Sequence, residues 1–189
     1  KQESLQNYKI GIVNGEWLDW YDNGNLFTQS FYKNNKLEGV EIIWNEDGLI
    51  ESEKEYKDGK LHGKSSVYWS GTNQKSWEGN YERGRNEGTW LGWHISGKKS
   101  AVCHYFFGDK YGKWIEWHEN SQKSIEKNYK DGKLNGEWLT WYKNGKKQTI
   151  GNYRDGKKDG EWTHLWEDGC QIFTFWKDDK DIALEDANP

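Results

Sequence analysis

A chain of 189 residues with 33% hydrophobic and 31% charged residues, a net charge of −4 and a mean hydropathy of −1.21 is too polar for a conventional two-layer core, because soluble domains ordinarily carry about 45–50% apolar residues. It is equally unlike a disordered chain: 14 Trp, 11 Tyr and 6 Phe stand beside a single Pro, whereas disordered segments are poor in aromatics. The acidic balance offers no electrostatic footprint for nucleic acid or anionic lipid, and no run approaches the ~20 apolar residues of a membrane-spanning helix.

In chain order, the opening segment Lys1 to Asn7 is similar to Gln122 to Asn128, so the sequence starts in mid-repeat. From there one pattern recurs. Tyr8, Tyr32, Tyr56, Tyr81, Tyr105, Tyr129 and Tyr153 follow one another at spacings of 24, 24, 25, 24, 24 and 24 residues. Three residues after each stands Gly11, Asn35, Gly59, Gly84, Gly108, Gly132 or Gly156. Asn35 departs from Gly, and Asn tolerates left-handed backbone best among the other residues. Seven residues after each stands Gly15, Gly39, Gly63, Gly88, Gly112, Gly136 or Gly160. Twelve after comes Trp20, Trp44, Tyr68, Trp93, Trp117, Trp141 or Leu165. The single extra residue enters near Ser70-Gly71-Thr72. At the end, Trp176-Lys177-Asp178-Asp179-Lys180 echoes Tyr129-Lys130-Asp131-Gly132-Lys133 one residue early, and the remainder is acidic, as a cap or loose tail would be.

Within a unit, Glu137 to Tyr142 is rich in Trp and β-compatible residues. Asn144-Gly145 is a strong hairpin-turn signal, and Asp131-Gly132 marks the second turn. Turn residues recur about every 8–12 positions, which excludes helices. The expected fold is therefore all-β: an elongated single-layer antiparallel meander of about seven tandem β-hairpins, each packing on its neighbours as in a solenoid. Residues 1–189 form one repeat domain, with units at about 8–31, 32–55, 56–80, 81–104, 105–128, 129–152 and 153–175, then a partial repeat and acidic tail at 176–189. A single layer explains the low apolar content, because each large aromatic buries about 150–250 Å².

Side chains alternate faces along a strand. One face carries the regular Leu18/Trp20, Ile42/Trp44, Leu91/Trp93, Ile115/Trp117 and Leu139/Trp141 pairs, which are assigned to packing. The other carries Trp17, Trp90, Trp114, Trp138 and Trp162, with Tyr21, His94, His118, Tyr142 and Trp166 nearby, and is interrupted at Glu41 and Ser65. Because this second row is not obviously needed for packing, Trp17, Trp90, Trp114, Trp138, Tyr142 and Trp162 are the candidate partner-binding residues.

Tyr56-Lys-Asp-Gly-Lys-Leu-His-Gly-Lys64 and Tyr129-Lys-Asp-Gly-Lys-Leu-Asn-Gly-Glu-Trp138 resemble membrane occupation and recognition nexus (MORN) repeats. The 24-residue unit with G-x-W-x-x-W-Y-x-N-G is similar to the bacterial, antitoxin-like variant of that repeat. The resemblance spans about Tyr8 to Lys180. It implies a β-hairpin array used as an interaction module, with bacterial members proposed as antitoxins or immunity proteins and eukaryotic members as scaffolds, some at membranes. Asn35 and Asp179 at Gly positions and Leu165 at a Trp position depart from the pattern.

No catalytic set, metal site or cofactor is expected. His94 and His118 share a repeat position about 10 Å apart, too far for one zinc ion. Cys103 and Cys170 lie three units apart, about 30 Å, whereas a disulfide needs Cα atoms within ~7 Å, so free thiols are expected. Glu16, Glu137 and Glu161 recur at the unit spacing, with Lys64 and Lys113 at equivalent positions, and read as a solvated edge. The Lys57 to Gly63 turn lacks both a phosphate-loop pattern and a following helix.

The partner expected is a protein, either a toxin or effector or a scaffold client, with no nucleic acid. Membrane contact through the lysine-rich turns (Lys57/Lys60, Lys130/Lys133, Lys146/Lys147, Lys157/Lys158) is disfavoured by the acidic balance. Tandem aromatic hairpins also resemble choline- and cell-wall-binding repeats, which gives the alternative reading. Unprotected terminal strands invite edge-to-edge homodimers. Two unpaired cysteines favour a reducing cytoplasmic interior, while a start at Lys1 without Met is expected of a processed envelope or secreted product of a bacterium.

Overall fold

The computed structural model describes residues 4–9 and 11–182, with side chains from residue 11 onward. The acidic tail beyond Ile182 and the side chain of Tyr8 lie outside the described residues. The chain divides into two compact units, Lys1–Gly97 and Lys98–Pro189. Both are all-β and antiparallel, and every regular element among the described residues is a strand.

The first unit holds β1 (Ser4–Lys9), β2 (Ile12–Trp20), β3 (Leu26–Lys33), β4 (Lys36–Leu37), β5 (Gly39–Trp44), β6 (Ile50–Lys57), β7 (Lys60–Tyr68), β8 (Lys75–Glu82) and β9 (Arg85–Trp93). Each strand pairs with its neighbour in sequence, and β4 and β5 are two pieces lying along β3. The second unit repeats the plan with β10 (Lys99–Phe106), β11 (Asp109–Lys110), β12 (Gly112–Trp117), β13 (Lys123–Lys130), β14 (Lys133–Trp141), β15 (Lys147–Arg154), β16 (Lys157–Lys158), β17 (Gly160–Leu165), β18 (Gln171–Lys177) and β19 (Lys180–Ile182). There β11 and β12 share β10, and β16 and β17 share β15.

The two turns of each hairpin follow from residue chemistry. The short turn is a two-residue loop with positive φ at both positions, as at Asp131 (50°) and Gly132 (74°). That is the mirror-image turn whose twist matches a right-twisted hairpin, and it favours Asn, Asp or Gly. The second glycine column lies within strands. Gly136, at φ 100°, faces the place where the β13–β14 register slips between Lys127 and Tyr129. A β-bulge of that kind requires left-handed backbone, which Gly adopts at no steric cost.

Neighbouring hairpins are stitched along both margins. On the short-turn side, the Gly59 amide donates to the Leu37 carbonyl (2.8 Å), Gly84 to Leu61 (2.7 Å), Gly132 to Lys110 (3.1 Å) and Gly156 to Leu134 (2.8 Å). Asn35 and Asp179, which stand where glycine is usual, keep the left-handed φ (64° and 65°). Each adds a bond that glycine lacks: Asn35 Oδ1 accepts from the Val13 amide (2.8 Å) and Asp179 Oδ1 from the Lys158 amide (2.7 Å). On the other side, the Tyr21 hydroxyl donates to the Trp44 carbonyl (2.8 Å) and Trp69 Nε1 to that of Trp93 (3.0 Å). Backbone groups at turns must be satisfied wherever water is excluded, and here the next repeat satisfies them.

Two buried or half-buried carboxylates are clamped in equivalent positions, one in each unit. Glu126 is 8% exposed and pairs with Lys113 (2.5 Å) and Lys123 (2.6 Å). Glu78 pairs with Lys64 and Lys75. The hydrogen bond from Lys113, joined by that from Lys123, holds the Glu126 carboxyl below the usual carboxylate range. A group whose pKa is lower folded than unfolded stabilises the fold above its unfolded pKa, and that contribution disappears as pH falls through the folded value. The urea midpoint of the protein should therefore hold between pH 7 and about 5 and fall below about pH 4.5. The Glu126→Gln variant should show a flatter acid limb; an identical limb would remove Glu126 from the acid transition.

Candidate functional site: the aromatic ladder and the rings outside it

The face that carries Trp17, Trp90, Trp114, Trp138 and Trp162 also carries the repeating tyrosines. Register puts them together: Gly15 opposes Tyr32 while Trp17 opposes Ser30, and Gly136 opposes Tyr153 while Trp138 opposes Gly151. In the second unit Trp114 lies 9 residues after Tyr105 and 15 before Tyr129 and contacts both rings, and Tyr153 is flanked in the same way by Trp138 and Trp162. Centroid separations are 5.7 Å for Trp17–Tyr32 and 5.1 Å for Tyr81–Trp90. In the second unit they are 6.1 Å for Tyr105–Trp114, 5.7 Å for Trp114–Tyr129, 5.5 Å for Trp138–Tyr153 and 5.1 Å for Tyr153–Trp162. Most are tilted or edge-to-face, the arrangements that the ring quadrupole favours.

Lysine ammoniums cap the ladder. Lys110 lies 4.6 Å from the Trp114 ring and Lys127 lies 5.1 Å from it. Lys158 sits between Trp162 (4.6 Å) and Trp176 (4.3 Å). These are cation–π distances. Trp90 is 8% exposed and Trp162 7%, and the indole N–H of each donates to a strand carbonyl, of Asn80 and Asn152 respectively (3.2 Å each). Trp17, Trp114 and Trp138 are half-buried, and Trp114 Nε1 is buried without a hydrogen-bond partner.

The expectation that this tryptophan row stands outside the packing is therefore corrected. Alternation along one strand assigns a residue to a face, but only the inter-strand register shows that Tyr and Trp share that face. Tyr142 has a different place: its hydroxyl donates to the Leu165 carbonyl (3.0 Å), as Tyr21 does to Trp44 and as His118 Nε2 does to Trp141 (3.0 Å). It is one of the straps that tie a long turn to the next hairpin. The Leu/Trp face is packed too, with Leu139 7% exposed and Lys123 lying 5.5 Å from the Trp141 ring.

Other chemically capable groups are dispersed. Cys103 is buried and Cys170 exposed, both as free thiols; burial pushes the Cys103 thiol up to about 11, which makes it a poor nucleophile at neutral pH. Among the described residues, no group of three or more His, Cys, Asp or Glu is placed to hold a metal ion. In the first unit an open basin of about 540 Å³ lies along the short turns, lined by Lys36, Lys57, Lys60, His62 and Arg83 together with Asp58 and Glu82.

The exposed rings were not among the residues singled out by periodicity. In the second unit Phe106, Phe107 and Tyr111 are 57%, 62% and 57% exposed, and Phe106 contacts both other rings, with centroids 4.6 Å apart for Phe106–Phe107 and 6.3 Å for Phe106–Tyr111. The signal was present in the sequence as a mismatch rather than a match. Where other units read Lys33-Asn34, Lys57-Asp58, Glu82-Arg83, Lys130-Asp131 and Arg154-Asp155, this one reads Phe106-Phe107.

Comparison with known families places three stretches, residues 13–34, 110–131 and 134–155, on the MORN repeat variant family. Each begins inside one hairpin and ends in the short turn of the next, so the match follows the observed hairpin period. No curated protein matches the chain.

Proposed function

We propose, from three stretches that match a repeat generally used for binding, that the chain is a non-catalytic protein-binding module acting as an antitoxin, an immunity protein or a scaffold. The observation that carries this reading is the pool of aromatic side chains left outside the ladder. Phe106, Phe107, Tyr111, Trp166 and Phe173 are all exposed in the second unit. Exposed aromatic residues are favoured anchors for a protein partner. On this reading the half-buried Trp114 and Trp138 lend ring edges to the contact surface of the second unit, while buried Trp162 and the strap Tyr142 hold that surface in shape.

The test is affinity purification of the tagged protein from its native host, followed by binding measurement with the purified partner. A saturable 1:1 complex supports the reading, and a partner whose toxicity is neutralised on co-expression supports the antitoxin form of it. Retention on choline or glycan resin with no protein partner would replace it. A second reading, binding of an anionic head group, draws on the basin lined by Lys36, Lys57, Lys60 and Arg83. It requires vesicle binding that rises with anionic lipid and falls in the Lys57→Glu/Lys60→Glu variant.

A further inference from the structure

Phe107 occupies the first position of a two-residue hairpin turn at φ 50°, followed by Gly108 at 93°. The same position is filled by Asn34, Asp58, Arg83, Asp131, Asp155 and Asp178, all with φ of 50–53°. Left-handed backbone suits Asn and Asp and is strained for a bulky ring. The ring is also 62% exposed, so hydration opposes its presence as well as backbone strain. Phe106 replaces a charged residue, and Tyr111 stands where other units carry Asn14, Glu38, His62, Glu87, Asn135 or Asp159. Three neighbouring positions thus break the local rule together, at one turn, which is the pattern expected of a functional site rather than of folding.

We propose that Phe106, Phe107 and Tyr111 form a knob that seats in an apolar pocket of the protein partner and anchors the complex; this rests on the protein-binding reading above. The occupant follows from shape, charge and area. Phe107 lies in the short turn between β10 and β11, with Phe106 and Tyr111 exposed beside it, so a concave surface is what could cover all three rings. The flanking residues carry both signs: Asp109 and Lys110 on the same hairpin, and Lys130, Asp131 and Lys133 on the next, whose Gly132 amide bonds to the Lys110 carbonyl. Lys110 is already engaged over the Trp114 and Tyr129 rings, at 4.6 and 5.2 Å. A rim of mixed charge suits a protein surface and gives no attraction to an anionic bilayer. A second copy is the poorer occupant. Three rings more than half exposed offer roughly 100–150 Å² each, so tip-to-tip pairing would bury under about 1,000 Å² in total, below the 1,200–2,000 Å² of stable interfaces.

The test uses a variant that restores the rule of the other repeats, Phe106→Lys/Phe107→Asp. Because Lys-Asp is the pair found at three other short turns, Lys57-Asp58, Lys130-Asp131 and Lys177-Asp178, this variant should fold with an unchanged or higher Tm. A photo-reactive phenylalanine analogue at position 107 should trap the partner in host extract, while the analogue at exposed Glu137 should not. The trapped protein, purified, should bind the Lys-Asp variant at least tenfold more weakly than the parent. A loss below threefold with Tm intact overturns the knob, as does trapping from position 137 alone; both leave protein binding standing. Concentration-dependent self-association of the parent that the variant abolishes would assign the knob to a second copy. Binding to phosphatidylcholine or mixed phosphatidylserine vesicles that the variant abolishes would assign it to a bilayer. If no partner is obtained by trapping or by affinity purification, the protein-binding reading fails and the knob with it.

Discussion

Replacing Gly151 by alanine should destabilise the second unit by about 1–3 kcal/mol, the usual cost of forcing atoms into a filled space. Valine should cost more. Gly151 lies on β15 facing the tryptophan ladder, with Trp138 opposite it in register. The Trp162 ring lies across its α-carbon from the other side, and a β-carbon there would fall 2.2 Å from Trp162 Cδ2. No backbone torsion requires this glycine, because its φ is not positive; the requirement is space alone. The indole cannot move away freely, being held by its N–H bond to Asn152 O, by Tyr153 at 5.1 Å and by the Lys158 ammonium at 4.6 Å. Gly79 stands in the same relation to Trp90 in the first unit, at 2.1 Å. Denaturant titration of Gly151→Ala, followed by tryptophan fluorescence, measures the change. A variant as stable as the parent would mean that Trp162 has another low-energy seat and that the ladder is not close-packed.

The repeat itself was legible because its columns are chemically forced. A left-handed turn admits Gly, Asn or Asp, so Gly132, Asn35 and Asp179 mark the short turns in any sequence of this fold. Large rings must replace a second layer, so Tyr and Trp recur at the hairpin period. What the sequence could not show is which columns meet. Trp138 and Tyr153 lie on different strands, and alternation speaks only within one strand. The bulge at Gly136 further shifts the register that links them. Trp17, Trp90, Trp114, Trp138 and Trp162 are therefore ladder rungs. Phe106 and Phe107 are the converse case: they fall between the periodic columns, at turn positions that other units fill with charged or amide side chains. Periodicity detects what repeats, whereas a site unique to one hairpin shows only as a departure from it. Tyr142 illustrates a third limit. Its hydroxyl reaches a carbonyl 23 residues away, and such a strap depends on how neighbouring turns stack rather than on any local pattern.

Truncating Trp162 to alanine should produce the largest loss of any single substitution considered, about 3–5 kcal/mol, as expected for deleting a buried aromatic. Three contributions act together there. The ring is 7% exposed and fills the surface above Gly151, where no side chain can relax into the void because the facing residue has none. The indole N–H bond to Asn152 O is lost, and Lys158 loses one of the two rings that flank it. The contrast that gives the measurement meaning is Trp166→Ala, four residues on. Trp166 is 44% exposed, and its ring contact is with His164 at 4.9 Å, so its removal should cost under about 1 kcal/mol. If Trp162 serves packing, its alanine variant loses stability, and it loses partner affinity only as far as the second unit unfolds. Trp166→Ala tests the opposite combination, intact stability with weakened binding. A Trp162→Ala protein that keeps its urea midpoint yet loses its partner would return the tryptophan row to the binding surface and make the ladder incidental. Because a 24-residue hairpin has no second layer behind it, each rung must supply what a core supplies elsewhere. That is why the tryptophans with the most regular spacing are the least free to serve as contacts.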